Sequence, residues 1–523
     1  MPENKIKKSR LIFIYCFVLI AFAVIILRMF FIVSFGDKVK ISNIYDQRKL
    51  IKRANIIDRN GTLVATDLKT KSLYASSILI KDVKAVAAAI SSVFPDLPYE
   101  EILKKITDNK NSKKWILLKR NLTPNQALQV QNLKIAGLIF EDDRIRVYPQ
   151  KSITSHLVGY VDLDRKGLSG IEMQYDQQLA KGGADLQLAL DIRVQDILHD
   201  ELSNGMNQFN AKAAAGIIFD VTNGEVLAIS SLPDFDPNLH EATSEQRFNR
   251  VVNGVYELGS IFKIFTNTIA FEDNIIKIND VYKVSEPIKE GRFTINDDHY
   301  VKDQMTVGEI FAYSSNIGTV QIAKKIGADL EKRQLEKFGL LKKIDAEFPG
   351  LGRPIYPKIW RDINLFTISY GHGIAITPMH IATTVGAIAN GGTLYKPEFL
   401  KLTIQPSGKK IIKESTSQIM RQMMRQVVLE GTGRNADVVG YEVGGKTGTA
   451  NRAELGSYNE KSTIASFVAV FPITQPKYLV YVIFDRPNSA FNTGGMVAAP
   501  VAGKIVRNIA PILGVYPINT NKL

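Results

Sequence analysis

Residues 440–450 read GYEVGGKTGTA, and the stretch satisfies two unrelated patterns. From Gly440 to Thr447 it spells G-x-x-x-x-G-K-T, a loop whose backbone N–H groups cradle phosphates ahead of a helix. From Lys446 to Gly448 it spells K-T-G, which builds a serine acyl-transfer pocket when S-x-x-K and S-x-N stand elsewhere in the chain. The first reading predicts strand, loop and helix. The second predicts a strand at the edge of a sheet.

A phosphate loop needs a helix whose N-terminus faces the anion. Residues 447–462, TGTANRAELGSYNEKS, are polar, broken by Gly448 and Gly456, and carry no apolar stripe at helical spacing. Upstream, NADVVGYEV gives only a short strand. No nucleotide is expected here.

The acyl-transfer reading requires its two partners, and each occurs twice: S-x-x-K at Ser260–Lys263 and Ser407–Lys410, S-x-N at Ser314–Asn316 and Ser457–Asn459. Context separates them. Ser407 lies in the polar turn QPSGKK, whereas Ser260 follows Gly259 and opens SIFKIFTNTIAFED, a credible helix. On a helix, residues three apart share a face, so Ser260 and Lys263 can touch. A serine hydroxyl needs a base to become a nucleophile. Lysine serves only if desolvation or a neighbouring cation keeps it neutral, and Lys446 is expected to supply that cation. Ser314 and Asn316, in a loop entering a helix, place a hydroxyl for proton relay and an amide for a peptide carbonyl. The six histidines are scattered, and Asp297-Asp298-His299 reads as an exposed loop rather than a metal site. No metal or cofactor is expected.

The N-terminus carries a second signal. MPENKIKKSR is basic, and an uncharged apolar run follows from Leu11 to Leu27, resuming after Arg28 to Phe35. About 20–25 such residues span a bilayer. The run is long for a signal peptide and lacks a small-x-small cleavage site. A transmembrane anchor at 11–35 is expected, with a cytoplasmic tail at 1–10 and the rest outside by the positive-inside rule. The single cysteine, Cys16, falls inside this run, which excludes an intramolecular disulfide and C-x-x-C chemistry. The net charge of +14 suits an anionic surface, and no nucleic-acid signature accompanies it.

Behind the anchor, 36–185 reads as a mixed α+β module. It has a hairpin at Asn60-Gly61 and helical patterns at 84–94 and 123–133, the latter opened by Thr123-Pro124. From 186 the texture changes. A hairpin is expected around Asn223-Gly224 within 213–233, then a helix-rich middle, paired strands at 462–473 and 477–485, and a closing helix at 499–513. Strands at both ends with helices between imply one antiparallel sheet flanked by helices, an α+β layout.

With these residues in place, the chain resembles the class B penicillin-binding proteins, most closely the division-specific (septal, FtsI-type) peptidoglycan D,D-transpeptidases. Beyond the three elements, the resemblance rests on R-x-x-I-x-D-R-N-G at 53–61, R-x-Y-P-x-x-x-x-x-x-H-x-x-G-Y at 146–160 and G-x-S-G-I-E at 167–172. It rests also on T-N-G-E-V-L-A at 222–228, S-Y-G-H-G-I-A-I-T-P at 369–378, G-T-G at 431–433 and K-T-G-T-A at 446–450. It implies a serine β-lactamase-like transpeptidase domain at 186–523 above an elongated pedestal, or dimerisation-like, module at 36–185. Two departures stand out: Leu258 where the family usually has Pro, and Ala54 where it usually has Gly.

The resemblance implies that Ser260 attacks the penultimate D-alanine carbonyl of a stem pentapeptide, with Lys263 as base. Backbone N–H groups of Ser260 and Thr449 would form the oxyanion hole. Thr447, Gly448 and Thr449 would line the donor site, with Lys446 aiding the threonines on the terminal carboxylate. Ser314 would pass a proton to the leaving D-alanine, and Asn316 would orient the donor. Implied partners are peptidoglycan stem peptides as donor and amine acceptor, penicillin and other β-lactams, and a membrane-embedded septal glycosyltransferase with other division proteins. Elongation-type crosslinking, D,D-carboxypeptidase, β-lactamase or β-lactam-sensing roles on the same fold stay open at this level.

Overall fold

The structure is a computed structural model describing residues 16–29, 51–109, 115–239, 241–291, 293–454, 457–488 and 492–518, with backbone only at 452–454 and 457–461. Residues 16–29 form an exposed helix. Among the described residues no helix is long and apolar enough to cross a membrane. The remainder of the expected anchor, 11–15 and 30–35, lies outside the described residues, as does the tail at 1–10.

The chain divides into two compact units. The smaller contains 68–145. Here Lys71–Ala75 pairs antiparallel with Ile116–Leu122. Helices Val83–Val93, Tyr99–Asp108 and Pro124–Asn132 bury Ile90, Ile102, Ile106 and Val130 together with Leu73 and Leu118. Both sequence-predicted helices start where local chemistry dictates. The Asp82 side chain accepts from Ala85 N, and Thr123 and Gln126 form a reciprocal capping box before Pro124.

The larger unit contains 53–67 and 146–523. Ile56–Ile57 turns back on Leu63–Ala65 through Gly61 at φ +90°, and lies parallel to Leu186–Gln187. Three of the motif segments meet in one buried ionic cluster. Glu172 accepts from Arg53 Nε at 2.8 Å and from Arg146 Nε at 2.7 Å, and Asp67 pairs with Arg146 and Arg165. Arg53, Arg146, Asp67 and Glu172 are all fully or nearly buried. Charges taken out of water persist only when paired and hydrogen-bonded, so the cluster fixes which segments lie together.

The main sheet has five antiparallel strands in the order Gly444–Glu454, Ser457–Phe471, Tyr478–Asp485, Ala213–Asp220, Val226–Leu232. Ala215, Ile217 and Phe219 enter one core with Leu479, Tyr481 and Ile483, while Ala214 and Ile218 enter the other with Val480, Val482 and Phe484. Both faces are therefore covered, which is why these strands read as unbroken apolar runs. Helices Ile192–Gln208 and Ala498–Ile509 close one face, and Lys263–Glu272, Pro378–Ala389 and Glu414–Leu429 contribute to the core on the other. The expected α+β arrangement, an antiparallel sheet flanked by helices, is what the chain adopts.

Two local expectations change. The helix opened by Ser260 begins as a tight 3-10 turn at Gly259–Phe262 and becomes α-helical only at Lys263. Gly259 enters that turn at φ +54°, and tight first turns are a common way to start a helix. The expected short strand in NADVVGYEV is absent: Arg434–Ala436 is a 3-10 turn, and positive φ at Gly440 and Glu442 delays the strand to Gly444.

Candidate active site

The opening stretch 440–450 folds as a turn leading into the edge strand of the sheet, with no helix after Lys446. That is the geometry of the K-T-G reading. Among the described residues the strand pairs only with Ser457–Phe471, Lys446 facing Val468 and Thr449 facing Ala465 in register. Its other side meets the turn that carries Ser260. A Cβ placed on Gly259 would lie 2.1 Å from the Thr449 carbonyl oxygen, and one on Gly448 would lie 2.6 Å from Leu258 O. Glycine at both positions lets two backbones approach where no side chain fits. Leu258 itself is buried.

A further segment fixes the turn from behind. Gly259 N donates to Gly371 O at 3.3 Å, and Thr266 Oγ1 donates to Ser369 O at 2.8 Å, so the S-Y-G-H-G stretch anchors the turn and its helix. Glu257 completes the support by accepting from Gly373 N at 3.0 Å.

The S-x-N loop supplies the third side. Ser314 sits at φ +66° between helices Val307–Ala312 and Asn316–Ile326. Its Oγ accepts from Lys263 Nζ at 3.1 Å and from Lys446 Nζ at 3.0 Å, and one hydroxyl thus bridges two lysines. Lys263 Nζ also donates to Ser314 O at 2.5 Å and to Asn316 Oδ1 at 2.7 Å. The sequence predicted a Ser260–Lys263 contact; among the described residues no hydrogen bond joins them, because all three Lys263 donors are engaged by the S-x-N loop. Ser260 is half-buried and opens with Ser314, Thr447 and Thr449 onto a cleft of about 360 Å³. Thr447 Oγ1 lies 2.7 Å from Thr432 Oγ1 of the G-T-G segment, and Thr449 Oγ1 accepts from Gly494 N at 3.0 Å.

Both lysines are fully buried. Desolvation lowers Lys263 to about 8, a fall opposed by the carboxylates of Asp297 and Asp298. Lys446 is held well below the ordinary lysine range, first by burial and then by the charge of Lys263. The Phe311 ring also lies near its amine, 5.8 Å from Nζ to centroid. Burial thus pushes both amines toward the neutral form, and the carboxylates of Asp297 and Asp298 oppose that shift at Lys263.

All eight sequence-predicted residues fall in this region: Ser260, Lys263, Ser314, Asn316, Lys446, Thr447, Gly448 and Thr449. The competing Ser407 stands in a loop before the two-residue strand Lys409–Lys410, and Ser457 begins the return strand of the hairpin. Among the described residues no cluster of histidine, cysteine, aspartate and glutamate could hold a metal ion. Asp297, read from sequence as part of an exposed loop, is half-buried and hydrogen-bonded to the S-x-N segment. No local pattern marks it, since it precedes Asn316 by a surface excursion rather than by a helical repeat.

Comparison with known proteins agrees with this geometry. Residues 214–507 match the family described as penicillin binding protein transpeptidase domain, and 49–186 match the penicillin-binding protein dimerisation domain. A Caulobacter vibrioides protein named probable peptidoglycan D,D-transpeptidase FtsI is 36% identical, the match covering 88% of this chain and 82% of that protein. Stage V sporulation protein D of Bacillus subtilis is 30% identical over 98% of this chain and 87% of its own length, and Escherichia coli K12 FtsI is 26% identical over 90% and 85%. Among solved structures, penicillin binding protein 3 of Mycobacterium tuberculosis, in complex with aztreonam, superposes with a TM-score of 0.72 at 23% identity, covering 90% of this chain and 97% of that one. With the two domain matches in the same order as the motifs, the chain belongs to the class B penicillin-binding proteins, the FtsI-type peptidoglycan D,D-transpeptidases.

Proposed function

We propose that this protein crosslinks peptidoglycan stem peptides at the division septum through an acyl-enzyme on Ser260. The observation that carries the residue assignment is the convergence of Lys263 and Lys446 on Ser314 Oγ, at the cleft onto which Ser260 opens. Ser260 attacks the penultimate D-alanine carbonyl. The backbone N–H groups of Ser260 and Thr449, on segments in near contact through Gly259, stabilise the tetrahedral oxyanion. Lys263 accepts the serine proton once the donor peptide takes Asn316 and frees the amine from its present partners. Ser314 relays the proton to the departing D-alanine, and an amine of a second stem peptide then releases the acyl group as a crosslink.

Thr447 and Thr449 receive the donor carboxylate. An arriving carboxylate favours the charged form of Lys446, so substrate binding is coupled to proton uptake in a site that is otherwise reluctant to hold two cations. β-Lactams present the same terminus and acylate Ser260. The proposed layout is a cytoplasmic tail at 1–10, a single-pass inner-membrane anchor at 11–35, a pedestal module at 36–185 and an extracytoplasmic transpeptidase domain at 186–523. Its partners are donor and acceptor stem peptides, a septal glycosyltransferase and other division proteins. The uncharged run from Leu11 to Leu27 and the basic residues before it support that topology.

Labelling with a fluorescent penicillin tests the assignment. Wild-type protein should be labelled covalently and Ser260→Ala should not; a persistently labelled alanine variant rejects Ser260 as the nucleophile. Depletion should give filamentous cells if the role is septal, and rounded cells point to elongation instead.

A further inference from the structure

Asp297 lies outside all three motifs, yet its carboxylate takes three hydrogen bonds from Ser315, Asn316 and Ile317 at the start of the helix that carries S-x-N. Oδ1 accepts from Asn316 N at 2.5 Å and Ile317 N at 2.9 Å, and Oδ2 accepts from Ser315 Oγ at 2.6 Å. The neighbouring Asn296 O accepts from Asn316 Nδ2 at 3.1 Å. The first turn of Asn316–Ile326 leaves four backbone donors without intrahelical partners. Asp297 takes two of them, and the Ser315 side chain takes a third, Gly318 N, at 2.9 Å. A negative charge at this end also matches the positive end of the helix. The acidic loop is itself pinned, because Ile295 is buried beside Val320 and Ala323 of the same helix.

We propose that Asp297 is a positioning residue for acyl transfer. It fixes the Asn316 amide with Oδ1 toward Lys263 and Nδ2 toward the loop, and it sets the charge environment in which Lys263 works. An Asn side chain is free to flip about its last torsion, and the Asn296–Asp297 pair removes that freedom by holding both ends of the residue. The groups facing Lys263 are the carboxylates of Asp297 and Asp298 from this loop, the Ser314 and Asn316 oxygens, and the Lys446 amine from the K-T-G strand. Removing one carboxylate from that set makes Lys263 easier to deprotonate. The proposal rests on the reading of Ser260 and Lys263 as the acylating pair.

The test is the rate of acylation by a fluorescent penicillin across pH 6 to about 10, on full-length protein in detergent, for wild type, Asp297→Asn and Asp297→Ala. Asp297→Asn keeps an oxygen for the two backbone donors and loses the charge and the acceptor for Ser315 Oγ. Its ascending limb should move down by about one pH unit, with a plateau rate within about tenfold of wild type. Asp297→Ala loses the clamp as well, and its plateau should fall about a hundredfold. Should Asp297→Ala not fold, the Asn variant carries the test alone. An unmoved limb in Asp297→Asn, or wild-type acylation by a folded Asp297→Ala, overturns the proposal. No labelling of wild type at any pH would instead refute the acyl-enzyme reading beneath it.

Discussion

Replacing Gly259 by alanine should silence the enzyme while leaving most of the fold intact. The added Cβ would stand 2.1 Å from Thr449 O and 2.9 Å from its carbonyl carbon. An ordinary C···O contact is about 3.3 Å, so one backbone must retreat by roughly 1 Å. The φ of +54° adds about 1–2 kcal/mol of strain for any residue with a Cβ. Retreat separates the Ser260 turn from the K-T-G strand, and with them the two N–H donors proposed for the oxyanion. Misplacement by about 1 Å costs on the order of a hundredfold, and loss of an oxyanion donor about 10²–10³-fold. Gly259→Ala should therefore acylate with penicillin about 10²–10³-fold more slowly than wild type. Gly61→Ala is the matched control: its φ is +90°, but an added Cβ there meets nothing within 4 Å. It should lose stability without losing acylation rate. Stopped-flow acylation and thermal melts of both variants decide the matter, and a folded Gly259→Ala within about threefold of the wild-type rate would refute the close-approach argument.

Four further outcomes follow from the buried charges of this chain. Lys263 is lowered to about 8, so roughly one molecule in ten carries the neutral amine at pH 7; the acylation rate should climb with pH and level off above about 8. Because the unfolded lysine still holds its proton up to about 10.5, its burial penalty is full below 8, and stability from this group should rise between the two values. Glu172→Ala removes the buried carboxylate shared by Arg53 and Arg146, leaving them only Asp176 and Asp67 among described ion-pair partners, and should cost about 3–5 kcal/mol in urea denaturation. Lys446→Met removes a buried amine while forfeiting its hydrogen bond to Ser314 and two long ones to Thr447; stability should rise by about 1–2 kcal/mol as acylation collapses, and a destabilised variant counts against a desolvation cost at that position.

Much of this was legible in the chain because its signals are local. Asn60-Gly61 and Asn223-Gly224 mark hairpins since glycine supplies the positive φ those turns need, and Thr123-Pro124 marks a helix start. Central strands announce themselves by lacking alternation, as both their faces are buried. What stayed hidden depends on side chains meeting across the fold. The i,i+3 rule put Lys263 beside Ser260, but the amine has three better acceptors on the S-x-N loop. The carboxylates that act on Lys263 come from where Asp297 and Asp298 fold back, which no spacing records. Likewise Arg53, Arg146 and Glu172 read as separate motif letters, and only the tertiary structure makes them one ionic knot.

The order of strands in the main sheet also constrains how the protein comes into being. Tyr478–Asp485 lies at the centre, hydrogen-bonded on one side to Ser457–Phe471 and on the other to Ala213–Asp220, with Asp485 opposite Ala213. No stretch of the larger unit shorter than 213–485 can therefore complete the sheet. The loop that must close is very long, and although closure entropy grows only with the logarithm of loop length, it must be met before any of these pairings contributes. During synthesis, the hairpin at 213–232 waits with an unpaired edge until nearly the whole chain has emerged, a period of aggregation risk for any β-edge. A chain stopped before Tyr478 would hold Ser260, Ser314 and Lys446 in its sequence yet own no sheet on which to bring them together.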